Sequence, residues 1–324
     1  MIISLTHPTK PGSIGPGNNG GWNMRRNALQ AGFMTDEQEA FDQLIAMRWP
    51  KGPVCPFCKH AKVYRLIRKG RKAESPTRRL LKCAGCRKQF SPTVGTIFED
   101  SHLPLTTWMN AIYLICSSKK GISTHQLHRT LGVTYKTAWF LSHRIRYAMK
   151  ALHIGKLDGI VEMDETYIGS RHRQLKSGSR AHKIPVVSLV QRQGTVRSMV
   201  LPTVNSINLR GILREHCEPT TQLMTDQSTM YARVKEEFPL HETVNHRSKE
   251  WVRGKAHTNT IEGYFSLLKR GLTGTFHHVS KEHLHRYLAE FDFRYNGRKL
   301  SDLDRYLVAL KATEGKRLTY QSAR

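Results

Sequence analysis

The chain has 324 residues, 39% of them hydrophobic, and carries 52 Lys and Arg against 25 Asp and Glu, a net charge of +27. That length accommodates two or more domains with their own cores, and the charge attracts polyanions, nucleic acid before any other partner. A membrane partner is disfavoured: no basic amphipathic helix or lipidation motif stands out, and no segment approaches the roughly 18 apolar residues that span a bilayer.

The first 34 residues begin without a charged and apolar leader pattern, and their Gly, Pro and Asn content predicts a disordered tail. The chain is therefore expected to be soluble and cytoplasmic. From Thr35 to Arg48 a short amphipathic helix is predicted, N-capped by Asp36 with Phe41, Leu44, Ile45 and Met47 on its apolar side. Beyond Trp49 the text changes to Cys55-Pro-Phe-Cys58 and Cys83-Ala-Gly-Cys86, two CxxC knuckles with a basic stretch between them. Four thiolates so spaced match one tetrahedral structural Zn²⁺ rather than disulfides, and Gly85 suits the second turn. From Lys59 to Lys88 twelve Lys or Arg face the single acid Glu74; a solvated hairpin is the plain alternative to phosphate contact. Cys116 and Cys217 stand alone in apolar helical text and are expected in the core.

Leu103 to Cys116 is apolar at near-helical spacing, and two more helices follow before Lys150. Ser123 to Arg146 has the form of a helix-turn-helix. Ser123 and Gln126 make a capping box, Gly132 supplies the turn, Thr134 caps the second helix, and Ala138, Leu141 and Ile145 face inward. In that reading Tyr135, Lys136, Thr137 and Arg144 are the DNA-facing residues, although many helical hairpins of this form never touch DNA.

Past Gly155 strands take over: 159–168, 183–192 and 198–204, then a helix over 206–217, a strand at 221–225 and a long helix from Ser280 to Phe293, with a polar tail closing the chain. This order predicts an α/β layer arrangement. Three carboxylates punctuate it. Asp164 shares one strand face with Glu162 and Thr166, Asp226 ends an apolar strand, and Glu262 opens a helical stretch with Lys269 two turns further along. Their spacing fits a site in which two divalent cations flank a phosphodiester. Each acid has a structural alternative: a solvent-facing edge strand for Asp164, a helix cap near Ser228 for Asp226, and a capping box with Asn259 for Glu262. His277, His278, His283 and His285 have no organised ligand spacing and are read as non-metal residues.

The segments RWPKGPVCPFC, the second CxxC, VEMDETYIG, LMTDQSTMY and HTNTIEGYFSLLKRGLTGTFHHVSKEHLHRYLAEFDFRYNGR resemble the DDE transposases of bacterial insertion sequences, in the group with an N-terminal zinc ribbon. The resemblance implies an RNase H-like catalytic domain preceded by a zinc ribbon and a helix-turn-helix, within the α/β class. It implies Asp164, Asp226 and Glu262 as the acidic triad holding two Mg²⁺ or Mn²⁺, with Lys269 as companion; some relatives carry Asn in the third role, which makes Asn259 the alternative. The expected domains are a tail (1–34), helix and ribbon (35–96), helix-turn-helix (97–155), catalytic domain (156–300) and C-terminal tail (301–324). The implied activity is metal-dependent cleavage of the element's ends and strand transfer into target DNA, by a homo-oligomer assembled on double-stranded DNA near the bacterial nucleoid. A non-catalytic DNA-binding regulator, or a nuclease of the same fold, is the competing reading.

Overall fold

The computed structural model describes residues 2–4, 29, 31–66, 80–150, 155–169 and 183–319, which group into two compact units. The first unit unites the N-terminal part to Ser117, residues 124–148 and the C-terminal segment from Asp302; the second holds 118–123 and 149–301.

In the first unit, strands β1 (Ile2–Ser4), β2 (Val63–Leu66), β3 (Leu81–Cys83) and β4 (Gln89–Phe90) form an antiparallel sheet in that order. Of the expected N-terminal tail, most lies outside the described residues, and its end enters the short helix α1 (Gly32–Thr35). Helix α2 (Glu37–Arg48) starts where Asp36 accepts from the Gln38 and Glu39 amides, as an N-cap should. Helix α3 (Leu105–Ser117) buries Leu105, Trp108, Met109, Ala111, Ile112, Ile115 and Cys116, and its first turn is capped from a distance by Glu37, whose carboxylate accepts from the Leu105 and Thr106 amides at 2.7 and 3.0 Å. Helices α4 (Thr124–Leu131) and α5 (Tyr135–Met149) follow across a turn in which Gly132 has φ +65°, the left-handed conformation glycine adopts at least cost.

The segment expected as a polar tail holds helix α9 (Asp302–Lys311), which packs on α3 through buried Tyr306, Ala309 and Leu310. Their i, i+3, i+4 spacing is a helical stripe that charged neighbours disguise. The Tyr306 hydroxyl donates to Met109 Sδ, and the Arg305 guanidinium donates to the Cys116 carbonyl at 2.7 Å. Tyr306→Ala is expected to destabilise this unit by about 3–5 kcal/mol; a thermal midpoint unchanged by the substitution would contradict this placement.

The second unit is a sheet of order β7-β6-β5-β8-β9. Strand β6 (Ile184–Gln191) runs antiparallel to both of its neighbours, β5 (Ile160–Ile168) and β7 (Val196–Val200), whereas β8 (Gln222–Asp226) runs parallel to β5 and β9 (Glu242–Val244) parallel to β8. Helix α6 (Ser206–His216) lays Leu209, Ile212 and Leu213 on one face, against Val161, Met163, Val187, Leu189 and Leu223. Helices α7 (Asn259–Gly271) and α8 (Lys281–Asn296) cover the other, where Ile261, Tyr264, Leu268, Leu284 and Leu288 meet Val186, Val190 and Val196. Helices on both faces of a mixed sheet give the α/β layering expected from the order of elements.

A buried polar network crosses that second interface. Asp292 on α8 accepts from the Tyr264 hydroxyl at 2.5 Å, the Ser198 hydroxyl at 2.7 Å and the Ser198 amide at 2.8 Å. Burial pushes its carboxyl up to about 6, while those donors hold it down. Because the network joins α8, α7 and β7, it fixes the helix that carries Glu262 against the sheet.

Candidate functional site

The four cysteines converge. Cys55 and Cys83 are buried, Cys86 is half-buried and Cys58 exposed, and their sulfurs all lie within 4.8 Å of one another. The Cys55–Cys86 and Cys58–Cys83 separations are 3.7 and 3.5 Å, close to the ~3.8 Å edge of a tetrahedron with Zn–S bonds of about 2.3 Å. Each knuckle closes on a residue in the left-handed region, Lys59 at φ +62° and Arg87 at φ +59°. At Gly85, which has no positive φ, a Cβ would stand 2.4 Å from the His60 ring, so a side chain there would require that ring to shift. The four thiolates fit a structural zinc. Most of the basic hairpin between them, 67–79, lies outside the described residues.

At the start of α5, Thr134 caps the helix by accepting from the Thr137 amide at 3.2 Å, and Tyr135 and Lys136 are exposed, the Tyr135 ring stacked on His125 at 4.5 Å. Arg144 does not join them. It is 4% exposed, donates to the Glu99 carbonyl at 2.8 Å and lies over the rings of Trp108 and Phe140, so its guanidinium braces this unit from inside. Desolvation lowers its pKa to about 10. Of the four residues expected to face DNA, Arg144 is thus buried, whereas Tyr135 and Lys136 are exposed and Thr137 is half-buried.

The acids meet through the sheet. The parallel register pairs Ile160 with Gln222, Val161 with Leu223 and Glu162 with Met224; Asp164 and Asp226 each follow the last pair by two residues, and the charge of Asp226 acts on Asp164. Strand parity then sends Val161 and Met163 into the core under α6 and leaves Glu162, Asp164 and Thr166 on the α7 side. Glu262 arrives in the first turn of α7 on an exposed face that also carries Asn259, Ser266 and Lys269. Asn259 is the first helical residue and not the N-cap; Thr258 holds that position, and its hydroxyl donates to Glu262 Oε1 at 3.0 Å.

Burial first, and then the charges of Glu165, Asp226 and Glu262, push the Asp164 carboxyl up to about 7. Asp226 is raised by burial, opposed by the Ser228 amide and by His246. Its Oδ1 is buried without a hydrogen-bond partner, and among the described residues neither Asp164 nor Asp226 is paired with a Lys or Arg. Crowded, uncompensated carboxylates in a strongly basic protein are the donor set a hard divalent cation takes. Among the described residues only the four cysteines bring three or more ligand atoms within 4.8 Å of one another, so the three acids share a field without forming a closed cage. Glu262 is drawn aside by Thr258 and by His246, whose Nε2 lies 3.6 Å from Oε1.

Several residues of this neighbourhood carry no sequence signal. Tyr231 donates to Glu165 Oε2 at 2.9 Å, and burial with the charges of Glu165, Asp164 and Asp226 holds its phenol well above the ordinary range. His246 stacks under the exposed Trp251 at 4.8 Å. Cys116 and Cys217 are buried as expected, and His277, His278, His283 and His285 form no metal-ligand cluster among the described residues.

Residues 156–296 match the ISXO2-like transposase domain, and residues 35–89 match the transposase zinc-ribbon domain. A Halobacterium salinarum protein described as an "Uncharacterized protein in transposable element ISH50" is 31% identical over 278 residues, 80% of this chain and 90% of its own length. An "Uncharacterized transposase-like protein" of Haemophilus influenzae is 30% identical over 105 residues, 32% of this chain and 84% of its own. Among the described residues no helix is long and apolar enough to cross a membrane.

Proposed function

Because the chain belongs to the family of insertion-sequence transposases that combine an ISXO2-like transposase domain with a zinc ribbon, we propose that it binds the ends of its own element and catalyses their cleavage and transfer into target DNA. The observation that carries this reading is that Asp164 and Asp226 stand on adjacent parallel strands, with Asp164 inside the fields of Asp226 and Glu262. The sheet order, with three antiparallel strands followed by two parallel to the central one, supports the RNase H-like assignment of the catalytic domain.

Asp164, Asp226 and Glu262 would hold two Mg²⁺ or Mn²⁺, which when bound lower the barrier to in-line attack on a phosphodiester. The chain's own residues do the rest. The sheet fixes Asp164 and Asp226, α7 brings Glu262, and Lys269 stands along the same helix face to contact a DNA phosphate. Water is the first nucleophile and the freed 3′-hydroxyl the second, so no protein side chain is consumed. The zinc ribbon and the α4–α5 hairpin, a helix-turn-helix in this reading, grip the terminal inverted repeats, and the transposase acts as a homo-oligomer on double-stranded DNA in the bacterial cytoplasm, at the nucleoid.

The test is a strand-transfer assay on the element's ends with Mg²⁺. Cleaved and joined products support the proposal; cleavage without joining identifies a nuclease, and binding without cleavage a regulator. At the recognition helix, Lys136→Ala is expected to weaken end-DNA binding about fivefold and to reduce the dependence of log K on log salt by about one. Titrations at two or more salt concentrations check this.

A further inference from the structure

Glu162 lies two residues before Asp164 on the same face of β5, and its side chain is fully buried. A carboxylate so placed needs several donors, and it has three: Arg192 Nε at 2.6 Å, the Thr260 hydroxyl at 2.8 Å and the Ile261 amide at 2.9 Å. His257 Nδ1 lies 3.3 Å away. The Ile261 amide belongs to the first turn of α7, where backbone donors have no partner within the helix and the helix dipole favours a negative charge. Thr258, at the N-cap, supplies no side-chain cap. Arg192 extends the same grip by donating to the Lys255 carbonyl at 2.8 Å and the His257 carbonyl at 2.9 Å.

One side chain on the strand of the first acid thus holds the helix start that carries the third, and Glu262 follows Ile261 directly. We propose that Glu162, with Arg192, is the positioning residue of the acidic site, setting the distance between Glu262 and Asp164 and so the affinity for divalent cations. The proposal rests on the reading of Asp164, Asp226 and Glu262 as cation ligands. Glu162 itself is placed to contact neither substrate nor reacting atoms: it is fully buried and both its oxygens are held, by Arg192 just after β6 and by the first turn of α7. The Gln substitute keeps the shape but turns an NH₂ toward Arg192 or Ile261, replacing an acceptor by a donor.

The experiment is calorimetric titration of the purified full-length protein with Mn²⁺, for wild type, Glu162→Gln, Arg192→Gln and Asp226→Asn, alongside thermal midpoints and the Mg²⁺ dependence of end cleavage. Glu162→Gln is expected to bind Mn²⁺ about 10–100-fold more weakly and to need correspondingly more Mg²⁺ for half-maximal cleavage, with end-DNA affinity unchanged. Arg192→Gln should shift Mn²⁺ affinity the same way by a smaller factor, and it decides the matter if Glu162→Gln does not fold. Unchanged Mn²⁺ affinity in a folded variant of either residue, even with a lowered thermal midpoint, overturns the positioning role and leaves a structural one. If instead wild type binds no Mn²⁺, or Asp226→Asn binds it as wild type does, the acidic-site reading itself falls and takes this inference with it.

Discussion

Asp164→Asn and Asp226→Asn are each expected to reduce end cleavage at least a thousandfold while leaving end-DNA binding within about twofold, because a neutral amide is a poor partner for a hard cation and the ribbon and α4–α5 hairpin, proposed to supply most of the DNA contacts, lie in the other unit. The Asp164 variant carries a second expectation of opposite sign. Its carboxyl is raised from 3.8 to about 7 in the folded protein. The unfolded chain releases that proton near the ordinary carboxylate value, so between roughly pH 4 and pH 7 folding becomes progressively less favourable, and above pH 7 the whole penalty is present. Removing the charge should therefore stabilise the cation-free protein at pH 8 by about 2–4 kcal/mol, with the gain disappearing below about pH 4. Thermal melts of wild type and Asp164→Asn in chelator, at pH 4 and pH 8, measure it. An inactive variant that is also less stable at pH 8 would place Asp164 in a structural role. The same assay settles the third ligand. Glu262→Gln is expected to lose cleavage in Mg²⁺, and a folded Glu262→Gln protein that transfers strands normally, while Asn259→Ala does not, moves that role to Asn259.

Removing the zinc is expected to unfold the ribbon and to weaken end-DNA binding tenfold or more. The strands β2, β3 and β4 are two to four residues long, and their core is small: Val63, Leu81 and Phe90 around Cys55 and Cys83, with Ile45, Trp49 and Val94 at the edge. So little apolar surface cannot order a hairpin alone, whereas zinc on four thiolates contributes on the order of 10 kcal/mol. Elemental analysis of freshly reduced protein should find one zinc per chain, and chelation should expose the amides of 55–66 and 80–90 to hydrogen exchange while β5 to β8 stay protected. Stoichiometric absence of zinc, or end-DNA affinity indifferent to chelation, would contradict the assignment.

The motifs of this protein are local, and local chemistry reads directly from sequence. Two CxxC knuckles bring their own geometry, since each closes within five residues. The alternation that turns Val161 and Met163 one way and Glu162 and Asp164 the other is set by the pleat of a strand. The Asp36 cap, the Gly132 turn and the net charge of +27 are equally self-contained.

What only the tertiary structure decided are the partners that come from far along the chain. Arg144 and Lys136 look alike as basic residues on one helix, but the first is buried against Trp108 and the Glu99 carbonyl while the second is exposed. Helix α9 reads as polar until α3 presents an apolar face for Tyr306 and Leu310. Glu162 reads as one more acid on a polar strand face; its role depends on donors from residues 192, 260 and 261, which meet it only once β6 and α7 have packed on β5. Periodicity along a chain tells which side of an element a residue occupies, and the free energy of burying a charge depends on what the rest of the fold places against that side.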